Sequence, residues 1–135
     1  MSIPDASRLD SAELVKRGYA VINVDSCGSG DLEGDLHFWG TPEGRDGHDC
    51  VEEIATRPWC SGRVALAGNS RLAIAQWFIA REHLPYLTCI APMEGLSDVL
   101  RENVGCGGID NSVFLNMIAS TLMGELRAPR RSGRG

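Results

Sequence analysis

Val64-Ala65-Leu66-Ala67-Gly68-Asn69-Ser70-Arg71-Leu72-Ala73-Ile74-Ala75-Gln76-Trp77-Phe78-Ile79-Ala80-Arg81-Glu82-His83 decides the fold. Val64 to Ala67 is a short apolar run of strand length, residues 68–73 turn, and Leu72 to His83 carries an apolar stretch of helix length. A serine therefore stands at the apex of a strand-to-helix turn. A hydroxyl there points out from the end of a sheet, where the first N–H groups of the next helix have no intrahelical acceptor and can bind an oxyanion. So tight a turn needs small residues around the serine, and Gly68 and Ala73 supply them. Leu72 stands where the common G-x-S-x-G form has its second glycine. On these residues alone, two readings of Ser70 are open: a nucleophile, or an ordinary cap of the helix that begins at Arg71.

Working outward, Asp10 to Gly18 has a capping residue, helix-forming composition and a terminating glycine, and predicts a short helix. Tyr19-Ala20-Val21-Ile22-Asn23-Val24-Asp25 is nearly continuous in apolar and β-branched residues, as in a strand buried on both faces. Ser26 to Thr41 is an acidic, glycine-rich loop. Its Gly28-x-Gly30 lacks a correctly spaced third glycine and a following helix, and its acids would repel a pyrophosphate, which argues against dinucleotide binding. Pro42 to Arg57 predicts a helix with Val51, Ile54 and Ala55 on one side and Glu52 and Glu53 on the other, ended by Pro58. Leu87-Thr88-Cys89-Ile90-Ala91 reads as a third apolar strand closed by Pro92, with Cys89 buried in it. Glu94 to Asp98 leads into a short helix through about Glu102. Asn111 to Leu126 carries Val113, Phe114, Met117, Ile118 and Leu122 at helical spacing.

The β, α, β, α, β alternation with buried-type strands predicts an α/β fold: three parallel strands joined by right-handed crossover helices. One globular domain over residues 1–126 is expected from the 135 residues, followed by a basic, disordered tail over 127–135 containing Arg127, Arg130, Arg131 and Arg134. A net charge of −5 argues against a nucleic-acid partner. The absence of a signal-peptide pattern and of a spanning segment makes cytoplasmic the default location, with no membrane partner. Five cysteines at wide spacings without C-x-x-C predict reduced thiols rather than a disulfide framework or a metal site, and no cofactor is expected.

A wider pattern surrounds the serine. It comprises Arg17-Gly18-Tyr19-Ala20-Val21 leading to Asp25, Gly28-Ser29-Gly30-Asp31-Leu32-Glu33-Gly34, Glu43-Gly44-Arg45-Asp46-Gly47-His48-Asp49, and Ile54 through Pro58-Trp59. It continues with Gly62-Arg63-Val64, Gly68 through Trp77, Ile90-Ala91-Pro92-Met93-Glu94-Gly95, and Gly107-Gly108. In these residues the chain resembles the Xaa-Pro dipeptidyl-peptidase and cocaine esterase (CocE/NonD) group of α/β-hydrolases from Lys16 to about Ser112. The resemblance implies the central part of an α/β-hydrolase domain, without its N-terminal strands, cap region and C-terminal part. It implies a serine hydrolase acting on a small ester or peptide substrate. Ser70 would be the nucleophile and the backbone N–H of Arg71 an oxyanion donor, worth roughly 3 kcal/mol in the transition state.

There are departures from the group. Cys27 replaces an arginine, Leu32 a serine, Arg71 an aromatic residue and Met93 a tryptophan. The last two positions would wall the acyl pocket, which makes Met93 a candidate substrate-binding residue with altered shape. The group's acid and histidine come much later in its chains. Of the three histidines here, His37 and His48 precede the serine, and His83 lies about 20 Å along the same predicted helix, out of reach. Asp98 and Asp110 read as helix caps. The expected function is thus a serine hydrolase that is weak or inactive as an isolated chain; the alternative is a non-catalytic interaction module or degenerate fragment in which Ser70 only caps its helix. The strand that would lie between Tyr19–Asp25 and Val64–Ala67 is also absent. This predicts direct pairing of those two, a gap, or completion of the sheet by a partner segment or a second copy.

Overall fold

The structure is a computed structural model that describes residues 10–29 and 32–126, with side chains described up to residue 120. The predicted basic tail lies outside the described residues. The chain divides into two compact units, one made of the described residues up to Val24 together with Phe38–Gly95, the other of Asp25–His37 and the described residues from Leu96 onward.

In the first unit, helix α1 (Ser11–Lys16) starts where Asp10 accepts hydrogen bonds from the N–H groups of Ala12 (3.1 Å) and Glu13 (3.2 Å). It ends before Gly18, whose φ of +87° an L side chain resists. Helix α2 (Thr41–Ala55) opens with Pro42 in its first turn and buries Val51 and Ala55. Strand β1 (Val64–Asn69), helix α3 (Arg71–Ala80) and strand β2 (Leu87–Met93) form one β–α–β unit with the two strands parallel. The strands pair Ala65 with Cys89, Ala67 with Ala91 and Asn69 with Met93, after a one-residue irregularity at Val64/Ala65 that accommodates Thr88.

The core lies where α2 and α3 cross one another and β1. Gly44 and Gly47, one turn apart, bring α2 against α3: a Cβ on Gly44 would stand 2.8 Å from the Phe78 carbonyl oxygen, and one on Gly47 would run into the Ile79 side chain. Ala73, Ile74 and Ala75 are buried at the helix start with Leu84 beyond its end. Gln76, 3% exposed, is held at both ends of its amide: Nε2 donates to the Leu72 carbonyl (3.1 Å), and Oε1 accepts from the N–H of Ala91 (3.0 Å). A buried amide so satisfied ties α3 to the edge of β2 and leaves no orphan donor there.

Three sequence expectations change here. Residues 19–25 form no strand, and among the described residues the parallel sheet has two strands, not three. Tyr19, Ile22 and Val24 are exposed. Strand propensity needs a neighbouring ladder to act on, and among the described residues β1 pairs with β2 alone, so of the three outcomes expected for residues 19–25 direct pairing with β1 is the one not seen. Second, β2 continues through Pro92 to Met93. Third, Cys89 is exposed, because the helices cover only the face of the sheet that carries Val64, Leu66 and Ile90, while Ala65, Ala67, Cys89 and Ala91 face outward.

The second unit holds the glycine-rich loop. Gly28 N–H donates to the Glu33 carbonyl (3.1 Å), and a Cβ on Gly28, at φ +71°, would stand 2.5 Å from the backbone nitrogen of Leu36. The loop thus folds onto itself through a close approach that only glycine permits at position 28. From Leu96 the chain makes a π-helical turn (Leu100–Val104) where a short α-helix through Glu102 is expected. Asp98 caps this turn through the Arg101 N–H (3.0 Å). The Ser97 hydroxyl and N–H both donate to Glu102, holding its carboxyl below the usual carboxylate range.

Strands β3 (Gly105–Cys106) and β4 (Ile109–Asp110) form a hairpin around Gly107 and Gly108, both at positive φ, a two-residue turn that glycine pairs favour. Asp110 is therefore a strand residue paired with Gly105, not a helix cap. Helix α4 (Ser112–Leu126) follows, with Val113, Phe114 and Met117 exposed.

Cys50, Cys60, Cys89 and Cys106 are free thiols. Burial pushes the Cys50 thiol up, reinforced by the nearby carboxylates of Asp46 and Asp49. No described helix is long and apolar enough to cross a membrane. Among the described residues no group of three His, Cys, Asp or Glu side chains gathers to hold a metal ion.

Candidate active site

β1 delivers Ser70 to the carboxyl end of the parallel pair, where α/β sheets place their chemistry. The turn is strained: Ser70 has φ +56° and ψ −120°, a conformation glycine adopts freely and a serine does not. Backbone bonds on both sides impose it. The Ser70 N–H donates to the Met93 carbonyl (3.0 Å), and its carbonyl accepts from the N–H groups of Ala73 (3.0 Å) and Ile74 (3.1 Å), which starts α3 immediately. The strand end thus becomes the helix start within one residue.

Such a reversal is possible only without side-chain bulk. A Cβ on Gly68 would stand 2.7 Å from the Leu72 Cβ and 3.4 Å from the Leu72 carbonyl carbon. Ala73 is fully buried, and a Cβ on Gly95 would already be 3.1 Å from the Ala73 Cβ. Gly68, Ala73 and Gly95 therefore form the small-residue seat of the turn. Leu72, in place of a second glycine, is about half-exposed, with its Cβ close against Gly68.

Ser70 occupies the position of a helix cap, but its hydroxyl makes no capping hydrogen bond. The side chain is exposed, and among the described residues no acceptor is bonded to the N–H of Arg71 or Leu72. These are the donors a helix N-terminus offers to developing negative charge. Met93, the other site residue expected from the sequence, ends β2 opposite Asn69, with its carbonyl on the Ser70 N–H and its side chain 40% exposed. Ser70, Arg71 and Met93 are thus brought together at one sheet end.

Among the described residues of the first unit, no histidine is hydrogen-bonded to Ser70. α3 ends at Ala80, so His83 is three residues past the helix rather than on it, at φ +57° in the turn that stops α3. The 10-residue helix puts about 15 Å between its two ends. His48 lies on α2 with Nδ1 3.0 Å from the Asp49 carboxylate, on a partly exposed face. Among the described residues the Ser70 hydroxyl has no side-chain partner.

One group escaped the sequence reading. Glu43 is buried in the first turn of α2, where a carboxylate also complements the helix dipole. Its Oε2 accepts from the Trp39 N–H (2.7 Å), reaching back as a capping-box glutamate does, and its Oε1 accepts from Arg71 Nη1 (3.1 Å). Arg71 also stacks its guanidinium 5.3 Å from the Phe38 ring centroid. The sequence signal was a glutamate in the first turn of the helix, next to Pro42; its partner 28 positions away was not legible.

Comparison with known proteins fits this geometry. The chain is 38% identical over 102 residues to a Mycobacterium bovis protein named as a serine esterase, and 34% identical over 89 residues to the cocaine esterase of a Rhodococcus strain. These matches cover 74% and 66% of this chain but 16% and 15% of the relatives, so the chain spans about a sixth of their length. The crystal structure of a CocE/NonD family hydrolase from Staphylococcus aureus superposes with a TM-score of 0.70 at 30% identity, over 77% of this chain and 19% of that one. Its likeness identifies the β1–α3–β2 unit as part of a fold of the α/β-hydrolase type. The family model of the X-Pro dipeptidyl-peptidases (S15 family) matches residues 3–134, and the chain belongs to that family of serine hydrolases.

Proposed function

We propose that Ser70 is the nucleophile of a serine hydrolase that cleaves ester or amide bonds, with the Arg71 N–H as one oxyanion donor and Met93 beside the acyl group. The observation that carries this reading is the conformation of Ser70. A serine held at φ +56° with its hydroxyl exposed and uncapped bears strain that a capping role would not require. Attack by Oγ on a carbonyl carbon transfers its proton to a base, forms an acyl-serine and releases an alcohol or amine; water then frees the acid.

The same observations set the level of activity. Serine without a paired histidine is a weak nucleophile, and among the described residues the hydroxyl has no such partner, so slow turnover is the expected result for this chain. The relatives' names favour esters as substrates. A further strand beside β1, from a partner segment or a second copy, would complete the sheet next to the site.

The test is chemical substitution for the base. Imidazole at tens of millimolar is added to the purified chain with a p-nitrophenyl ester, and the rate is corrected for imidazole alone. The wild-type chain is expected to show an imidazole-dependent increment that Ser70→Ala lacks; equal increments in the two proteins would refute a nucleophilic Ser70. A non-catalytic module in which Ser70 serves only the backbone turn predicts that equality.

A further inference from the structure

We propose that Glu43 is a positioning residue for the Ser70 turn, acting through the side chain of Arg71 and the indole of Trp39. This rests on the reading of Ser70 as nucleophile and adds to it a group that never touches substrate.

The contacts form a closed circuit. Glu43 Oε1 holds the Arg71 guanidinium at 3.1 Å, and Glu43 Oε2 holds the Trp39 N–H at 2.7 Å. The Trp39 indole Nε1–H in turn donates to the Arg71 carbonyl at a long 3.4 Å. Arg71 is thereby gripped at its side chain and at its own backbone, and both grips lead to one carboxylate. The two side chains of the ion pair are 10% and 15% exposed, so solvent screens them little. Trp39, at φ +50°, is itself held in a strained conformation that the Glu43 bond secures.

Stability does not account for such an arrangement. A largely buried ion pair roughly breaks even against apolar packing once desolvation is counted, whereas removing one partner leaves a costly orphan charge. Geometry does account for it. Fixing the side chain and carbonyl of Arg71 fixes the peptide planes on either side of its Cα, and the plane on the Ser70 side carries the N–H that would face an oxyanion. Glu43 therefore links α2, the Phe38–Gly40 loop and the turn into one rigid frame.

The test uses the full chain and a fluorophosphonate probe, reading the limiting rate of Ser70 phosphonylation, the apparent probe affinity, and the indole ¹H–¹⁵N resonance of Trp39 assigned by Trp39→Phe. In Glu43→Gln the limiting rate is expected to fall about tenfold with probe affinity unchanged, and the Trp39 resonance to move. The double variant Glu43→Gln/Arg71→Gln replaces the ion pair with a neutral amide pair and is expected to recover most of the rate. A wild-type rate in the folded fraction of Glu43→Gln overturns the proposal, as does a double variant no faster than the single one. Failure of the wild-type chain to label removes the nucleophile reading instead. The circuit is then judged by the Trp39 resonance alone, and an unchanged resonance in Glu43→Gln overturns it.

Discussion

A valine at position 68 is expected to lower the unfolding free energy by about 3 kcal/mol, the upper end of what overpacking in a tight core costs. The mechanism is local. Any Cβ on residue 68 stands 2.7 Å from the Leu72 Cβ, an atom fixed to the helix backbone rather than the end of a flexible side chain. Relief therefore requires that β1 and the first turn of α3 separate. That motion would also pull the buried Gln76 amide from the Ala91 N–H, leaving its Oε1 without that partner. Urea unfolding measures the loss as a lower midpoint at constant slope. Gly68→Ala, with one methyl, is expected to cost about 1 kcal/mol. A valine variant as stable as wild type would mean that the turn has room the geometry denies.

The opposite sign is expected two residues on. Ser70→Gly removes the Cβ from a φ of +56°, relieving strain on the order of 1–3 kcal/mol, offset by the greater freedom glycine gains in the unfolded chain, about 0.4–1 kcal/mol. The net expectation is a gain of about 1 kcal/mol together with complete loss of Ser70-dependent chemistry. Ser70→Ala separates the two effects: it removes the hydroxyl and keeps the strain, so its stability should stay near wild type. An ordinary helix cap behaves differently, losing stability on change to alanine. If Ser70→Ala is the less stable by a kilocalorie and Ser70→Gly gains nothing, Ser70 is a cap after all.

The turn itself was legible in the sequence because its constraints are local. A strand-length apolar run, Gly68, Ser70 and Ala73 leave few other conformations, and β1, α3 and β2 lie where those residues put them. What was not legible depended on distant partners. Residues 19–25 have strand composition, but a strand exists only against a neighbour, and among the described residues β1 pairs with β2 alone. Cys89 looked buried because its run is apolar; the helices cover only one face, and Cys89 falls on the other.

Glu43 was given no role of its own in the sequence, because nothing in its surroundings announces a guanidinium 28 residues away. The hairpin at residues 105–110 was missed for a different reason. Its Gly107-Gly108 turn signal was present, but strands of two residues leave no periodicity to read. His83 shows the value of a boundary: the helix stops at Ala80, and the histidine belongs to its end.

Ser70 is held as a nucleophile would be, and among the described residues no base is bonded to its hydroxyl. The most direct measurement is intact-mass and peptide-mapping analysis of the chain after prolonged exposure to a fluorophosphonate. A slow, single adduct on Ser70 is expected, accelerated by imidazole and absent in Ser70→Ala. No adduct on Ser70 with imidazole present, or an adduct that persists unchanged in Ser70→Ala, would contradict a nucleophilic Ser70.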